Sequence, residues 1–356
     1  MPHSLDPAVF YPSDLSALAY AYGQPVATAR LKTDPADFVV EEQLAYSLSG
    51  EGEHLWVWVE KIGQNTDWVA KQLAKWAGIA PKNVGVAGKK DRQAVTYQWM
   101  SLHLPGQADP AVETLAIPGV RILKTQRHHR KLQTGGLSGN RFTLTLRKMT
   151  GDKTALEGRL QRIREQGVPN YFGEQRFGNG FQNLPKATQL FQGQLKAPKR
   201  HQKSLYISAA RSWIFNEILS RRIEQDCWNR ALPGDVFQLQ GSQKWFADDG
   251  DPALAERVDA MDLHPTGALT GRGVLPTQGE AFQLEQTVMA RHPIWQAGLE
   301  KLGLKQERRA LRVWPKALTW QWPDAETLAV SFDLPAGSYA TMVVRELAQL
   351  ETESER

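Results

Sequence analysis

A single cysteine, Cys227, is all that this 356-residue chain contains. No intrachain disulfide can form, which excludes the stapled scaffolds of small secreted proteins. Cys227 stands between Asp226 and Trp228 with no cationic cluster nearby, so it reads as a structural thiol. Long apolar runs are absent as well: nothing approaches the roughly 20 residues of a membrane span. The opening Met1-Pro2-His3-Ser4-Leu5-Asp6 has neither the basic nor the apolar region of a signal peptide. The expected location is therefore the cytoplasm, with no membrane partner. Metal-ligand spacing is missing too, since there is no Cys pair and the side chains of adjacent His128 and His129 diverge. No metal and no cofactor are expected.

One further absence is informative. Between Glu113 and Asp152 there is no acidic residue, yet the stretch carries Arg121, Lys124, Arg127, Arg130, Lys131, Arg141, Arg147 and Lys148. Those eight cations exceed the net charge of the whole chain, +5, so the remainder is mildly acidic. A one-sign stretch in such a setting is the footprint of nucleic-acid binding. Lys196, Lys199, Arg200, His201 and Lys203 form a second basic cluster.

Thirteen residues carry the chemistry: Asn83-Val84-Gly85-Val86-Ala87-Gly88-Lys89-Lys90-Asp91-Arg92-Gln93-Ala94-Val95. A short apolar run breaks on two glycines, and one carboxylate then appears among Lys89, Lys90 and Arg92. Carboxylates are ordinarily ionised at neutral pH, and a lone anion on a tight turn among cations suits a nucleophile that approaches a polyanion. The bland reading is a surface Asp in a loop. A phosphate loop is excluded, because that motif needs four residues between its glycines and a Ser or Thr after the Lys. Here two residues intervene and Lys90 follows Lys89.

Along the chain, the first dozen residues read as a loosely held arm. Pro35 centres a turn that feeds a strand from Phe38. His54 to Lys61 alternates, with Leu55, Val57 and Val59 on one face and Trp56 and Trp58 on the other. Asn65 and Thr66 cap a helix through Trp76, stopped at Gly78, and Trp56, Trp58, Trp68 and Trp76 are expected in the core. Asn140 to Arg147 alternates again, placing Asn140 and Phe142 on the face of Leu144 and Leu146. Helical periodicity spans Lys153 to Gln166, and a helix is expected over Ile207 to Ile223. The Gly/Pro-rich stretch from His264-Pro265-Thr266-Gly267 to Gly279 reads as a long loop. Strand patterning resumes at Trp314, followed by a helix through Glu346 and a charged tail. Strands and helices interleaved without repeated βαβ units indicate an α+β fold with a mixed, largely antiparallel sheet.

Four blocks, in order, resemble the TruD family of tRNA pseudouridine synthases. They are Pro35-Ala36-Asp37-Phe38-Val39-Val40-Glu41; Gly85-x-x-Gly88-x-Lys90-Asp91-x-x-Ala94-x-Thr96-x-Gln98; Val168-Pro169-Asn170-Tyr171-Phe172-Gly173 with Gln175-Arg176-Phe177-Gly178; and Leu334-Pro335-Ala336-Gly337-Ser338-Tyr339-Ala340-Thr341. The resemblance implies a pseudouridine synthase catalytic domain, residues 1–166 and 314–356, interrupted by an inserted α/β domain over 167–313. It implies isomerisation of uridine 13 in the D arm of tRNA to pseudouridine, with Asp91 as nucleophile and Lys32 as its basic partner. Phe38, Phe142 and Tyr339 would line the pocket of a flipped base and Asn140 would read its edge. Tyr339 stands where the family usually carries Phe.

Taken alone, Phe38 is a strand residue of the core, and Asn140 a turn residue at a strand start. Arg176, among aromatics and glycines, reads as a packing device. Lys89, Lys90 and Arg92, with Arg127, Arg130 and Lys131, are the candidate phosphate contacts. The chain is expected to act as a monomer on tRNA. The carboxylate could begin the reaction by covalent attack on ring or sugar, or by taking the C2′ proton to leave a glycal. Neither route needs a histidine base. Two rivals are an RNA-binding protein without turnover and a glycosidic hydrolase. The second would want another carboxylate about 5–10 Å away, and the matched blocks hold none in that role.

Overall fold

The computed structural model describes residues 11–351. The expected N-terminal arm and charged tail fall almost wholly outside that range. The chain packs as two compact units. One comprises Val26–Glu157, Pro315–Gly337 and the described part of Ala348–Arg356. The other comprises the described part of Met1–Pro25, Gly158–Trp314 and Ser338–Leu347.

Ten strands of the first unit form one sheet among the described residues. They are β1 (Ala27–Arg30), β2 (Phe38–Gln43), β3 (His54–Ile62), β4 (Val84–Val86), β5 (Val95–His103), β6 (Val120–His128), β7 (Gly139–Gly151), β8 (Lys316–Asp324), β9 (Thr327–Pro335) and β10 (Gln349–Leu350). The order is β8-β9-β7-β2-β5-β3-β6, with β4 on β5 and β1 bridging β7 and β10. Among the described residues of this sheet only β1–β10 and β2–β5 are parallel pairs, so it is mixed and largely antiparallel.

The alternation in β3 decides what each sheet face buries. Leu55, Val57 and Val59 are completely buried with Met100 and Leu102, under Val69 and Leu73 of α1 (Thr66–Trp76). Each such side chain contributes about 1.5–3 kcal/mol on burial. On the opposite face Trp56 packs with Trp99, Ala87 and Leu132. The Asn65 side chain accepts the Asp67 N–H at the start of α1, as its position predicts. Trp68 departs from expectation: it lies about 100° round the helix from Val69 and is exposed.

Cross-strand register brings distant residues into rows. Phe332, Phe142, Val40, Thr96 and Lys61 pair in one line across β9, β7, β2, β5 and β3. In the next row Leu334 pairs with Asn140 and Asn140 with Glu42. Directly paired residues share a face, so aromatic, amide and charged groups converge on one side of the sheet.

In the second unit the long helix Arg200–Glu224 starts a turn or more before Ile207. The Gln202 side chain accepts the Lys199 N–H there, so the basic cluster begins the helix. A four-stranded sheet orders Trp245–Ala247, Val236–Leu239, Leu263–Leu269 and Glu307–Ala310. The third strand corrects the reading of His264–Gly267 as loop. Pro265 sits where the strand changes partner, pairing Val236–Leu239 before it and Glu307–Ala310 after it. Its carbonyl still accepts the Leu311 N–H. Gly267 leaves room for Leu311 and Phe215, atoms of which would stand 2.9 and 3.0 Å from any Cβ there. The helix Lys153–Gln166 has the bounds its periodicity predicts.

Candidate active site

Asp91 lies in the irregular segment between β4 and β5. Gly85 sets the approach to it: a Cβ there would stand 2.4 Å from Ser101 Oγ and 2.5 Å from the Leu132 carbonyl, so no other residue fits so close to a neighbouring backbone. The Asp91 Oδ2 accepts from Lys32 Nζ at 2.7 Å, both side chains partly exposed. The ammonium also stands 4.3 Å from the centroid of Phe38. Lys32 has a left-handed backbone, φ 64°, a conformation that costs about 1–2 kcal/mol for a residue with a Cβ. Strain of this kind persists only where the surroundings over-determine it, and here the ion pair and the ring contact do so.

Phe38 and Phe142 are buried and meet edge to face, with centroids 6.2 Å apart, and Phe332 continues the cluster 5.8 Å from Phe142. Beside them in the register, Asn140 presents an Oδ1 that is buried and has no hydrogen-bond partner. Buried acceptors are rarely left so.

The candidate phosphate contacts divide. Lys89 is exposed and pairs with exposed Asp67. Arg92 is exposed and donates through Nε to the Gly63 carbonyl. Arg130 is exposed, and Lys131 Nζ reaches the Lys82 carbonyl. Lys90 differs from expectation, for its ammonium turns inward, 2.8 Å from Glu42 Oε1, whose side chain is fully buried. The other Glu42 oxygen accepts the Trp99 N–H. Burial pushes the Glu42 carboxyl up, and Lys90 opposes the shift. Arg127 is likewise taken up by the protein. It donates to Asp109, Gly52, Leu104 and Gln107, acceptors that hold it in place of a phosphate.

Lys61 is the group that sequence reading missed. It is completely buried, and Nζ donates to the Asp91 carbonyl at 3.0 Å and the Gln64 carbonyl at 2.9 Å. Burial pushes its ammonium down to about 8, while Asp91 pulls the other way. The signal was present: Lys61 continues the inward series Leu55, Val57, Val59.

Tyr339 belongs to the second unit. There its hydroxyl accepts from Arg176 Nε at 3.2 Å, and its ring meets Phe172 edge to face at 6.3 Å. Arg176 also donates to Ser208 Oγ and covers the Phe172 ring, as a packing device should. Cys227 is buried and donates to the Arg222 carbonyl. Among the described residues no group of three or more His, Cys, Asp or Glu is arranged to hold a metal ion, and no helix is long and apolar enough to cross a membrane.

An acidic loop residue paired with lysine, beside an aromatic cluster and an open amide on a mixed sheet, now has relatives to stand against. The family model for tRNA pseudouridine synthase D (TruD) matches residues 14–185 and 180–347. The tRNA pseudouridine synthase D of Hydrogenovibrio crunogenus is 71% identical over 342 residues, covering 96% of this chain and 99% of that one. That of Aeromonas hydrophila is 48% identical over 340 residues, 95% of each chain. A solved structure assigned to tRNA pseudouridine synthase D of Methanosarcina mazei superposes with TM-score 0.72 at 22% identity, covering 92% of this chain and 95% of that one. That likeness shows a shared α+β fold. The chain belongs to the TruD family of tRNA pseudouridine synthases.

Proposed function

We propose that this chain isomerises uridine 13 in the D arm of tRNA to pseudouridine, with Asp91 as the nucleophile. The observation that carries the reading is the Asp91–Lys32 pair at 2.7 Å on the loop that bears the family motif. The reaction breaks the N1–C1′ bond, turns the uracil and joins C5 to C1′. The C5 proton is lost and N1 gains one, so nothing is oxidised or reduced. Lys32 holds the carboxylate at one oxygen. The flipped base lies against Phe38 and Phe142; Tyr339 is proposed as a base contact on its family motif alone. The base N3–H supplies the donor that the buried Asn140 Oδ1 lacks.

Lys89, Arg92, Arg130 and Lys131 grip phosphates, since their charges face outward. In this reading residues 1–166 and 314–356 form the catalytic domain and 167–313 the insertion. The enzyme works in the cytoplasm as a monomer, without metal or cofactor.

The test is pseudouridine formation in a tRNA transcript by the parent and by Asp91→Asn. The parent should modify one position, and uridine-to-cytidine replacement at position 13 should abolish the product. Asp91→Asn should be inactive while binding tRNA within a few-fold, because most affinity comes from phosphates. Turnover by Asp91→Asn would remove Asp91 from its role. Binding without any product from the parent would favour the non-catalytic RNA-binding reading.

A further inference from the structure

The segment that carries Asp91 lies outside the ladders: the Ala87 carbonyl and the Ala94 N–H have main-chain partners, whereas the Lys90 N–H and the Asp91 carbonyl are satisfied by side chains. Two buried residues do this. The Thr66 hydroxyl, at the first position of α1, accepts the Lys90 N–H at 3.1 Å and donates to Gln98 Oε1 at 3.3 Å. Lys61 Nζ, at the end of β3, donates to the Asp91 carbonyl. Between the two grips lie only the backbone torsions of Lys90 and Asp91, the ones that aim the carboxylate. Thr66, Gln98 and Lys61 are all essentially inaccessible to solvent, so none of them can reach a phosphate. An ammonium ion is costly to bury unless its donors are used, and the two carbonyls take two of its three.

We propose that Lys61 and Thr66 are positioning residues for the isomerisation, fixing where the Asp91 carboxylate stands without touching the RNA. This rests on Asp91 being the nucleophile. Lys32 meets the carboxylate from the outer side, whereas Lys61 and Thr66 hold the main chain beneath it. The groups that face Lys61 are Asp91, Lys90 and Glu42, and the Glu42–Lys90 pair keeps Lys90 itself from swinging outward. The motif positions Lys90 and Gln98 thereby acquire a physical reason: one is anchored by its ammonium and its N–H, and the other orients the Thr66 hydroxyl.

The test uses the full-length chain, a tRNA transcript and three variants, reading single-turnover rate at saturating tRNA, tRNA affinity and melting temperature. A misplacement of about 1 Å in a reacting group can cost about a hundredfold. Lys61→Met and Thr66→Val should therefore lower the rate by about tenfold or more. Their tRNA affinity should stay within about twofold, because no phosphate contact is lost. Thr66→Ser keeps the hydroxyl and should retain the rate within about threefold. A purely structural Thr66 gives the opposite order, since Ser loses a buried methyl that Val keeps. If Lys61→Met does not fold, the two Thr66 variants decide alone. Parent-like rates in Thr66→Val, or equal losses in Val and Ser, overturn the inference. Asp91→Asn runs alongside: activity in that variant defeats the nucleophile assignment. An inactive Asp91→Asn with fully active Lys61→Met and Thr66→Val defeats only the positioning role.

Discussion

Lys90 offers the sharpest contrast between a motif and its folded setting. Its place beside Asp91 suggests a phosphate contact, whereas its ammonium stands 2.8 Å from a fully buried Glu42 carboxylate. Lys90→Met keeps the aliphatic bulk and leaves that carboxylate unpaired. Breaking a buried pair from one side costs about 3–5 kcal/mol. Glu42 keeps the Trp99 N–H, which places the expected loss near 3 kcal/mol, a large share of the roughly 5–15 kcal/mol that holds a domain folded. Glu42→Gln with Lys90→Met removes both charges and should recover most of the loss.

The loss also has a pH signature. Burial already holds the Glu42 carboxyl above its ordinary 4.5, and removing Lys90 raises it further. A raised folded-state value means that the protonated acid is favoured by folding. The variant is therefore most stable below 4.5 and loses stability as pH climbs through the raised value. Urea unfolding of parent, single and double variants between pH 4 and 8 measures both effects. The tRNA salt dependence should keep its parent slope. A stability change under about 1 kcal/mol, together with a slope reduced by about 0.7–0.9, would show that Lys90 faces phosphate and that the inward pairing is wrong.

Arg130→Gln with Lys89→Gln should lower the slope of log K against log salt by about 0.7–0.9 per residue, read from tRNA binding at several salt concentrations. Arg127→Ala should leave that slope unchanged and cost about 1.5–3 kcal/mol in unfolding, because its acceptors are protein groups. Tyr339→Phe removes only the acceptor of Arg176, a change of about 1 kcal/mol or less, whereas Tyr339→Ala should lower the modification rate by the equivalent of about 1–3 kcal/mol. Equal damage from both would make the hydroxyl the working part. Glu346, buried in the second unit, is raised from 4.5 to about 7, so its contribution is complete below 4.5 and lost by about 7. Glu346→Gln should remove roughly 3 kcal/mol of pH dependence across that window, measured by thermal unfolding.

Local signals were legible because local physics produces them. The alternation of β3, the Asn65 cap and the helix Lys153–Gln166 each follow from neighbours a few residues apart. The Asp91–Lys32 pairing, 59 residues apart in sequence, was reachable only through the resemblance. Lys61 and Glu42 escaped notice because a charged residue on an inward strand position makes no sense until its partner is known. Each in fact continues an apolar series, Val57-Val59-Lys61 and Phe38-Val40-Glu42. Pro265 and Gly267 misled for the same reason, since only the change of strand partner makes a proline harmless in a central strand. Lys90 and Arg127 counted as exposed charge when only charge was visible.

The pairing of β7 with β9 has a consequence for synthesis on the ribosome. Arg141 and Asp333, bonded side by side across these strands, are 192 residues apart in the chain. The aromatic wall that Phe142 and Phe332 make can therefore close only after synthesis has passed residue 332. Until then β7 presents an uncovered edge, a known template for misassociation, and long-range pairing of this kind is slow to form. Truncated products that end before Thr327 would carry the Asp91 loop yet lack the strand that supplies Phe332. Premature termination would thus leave fragments prone to aggregation.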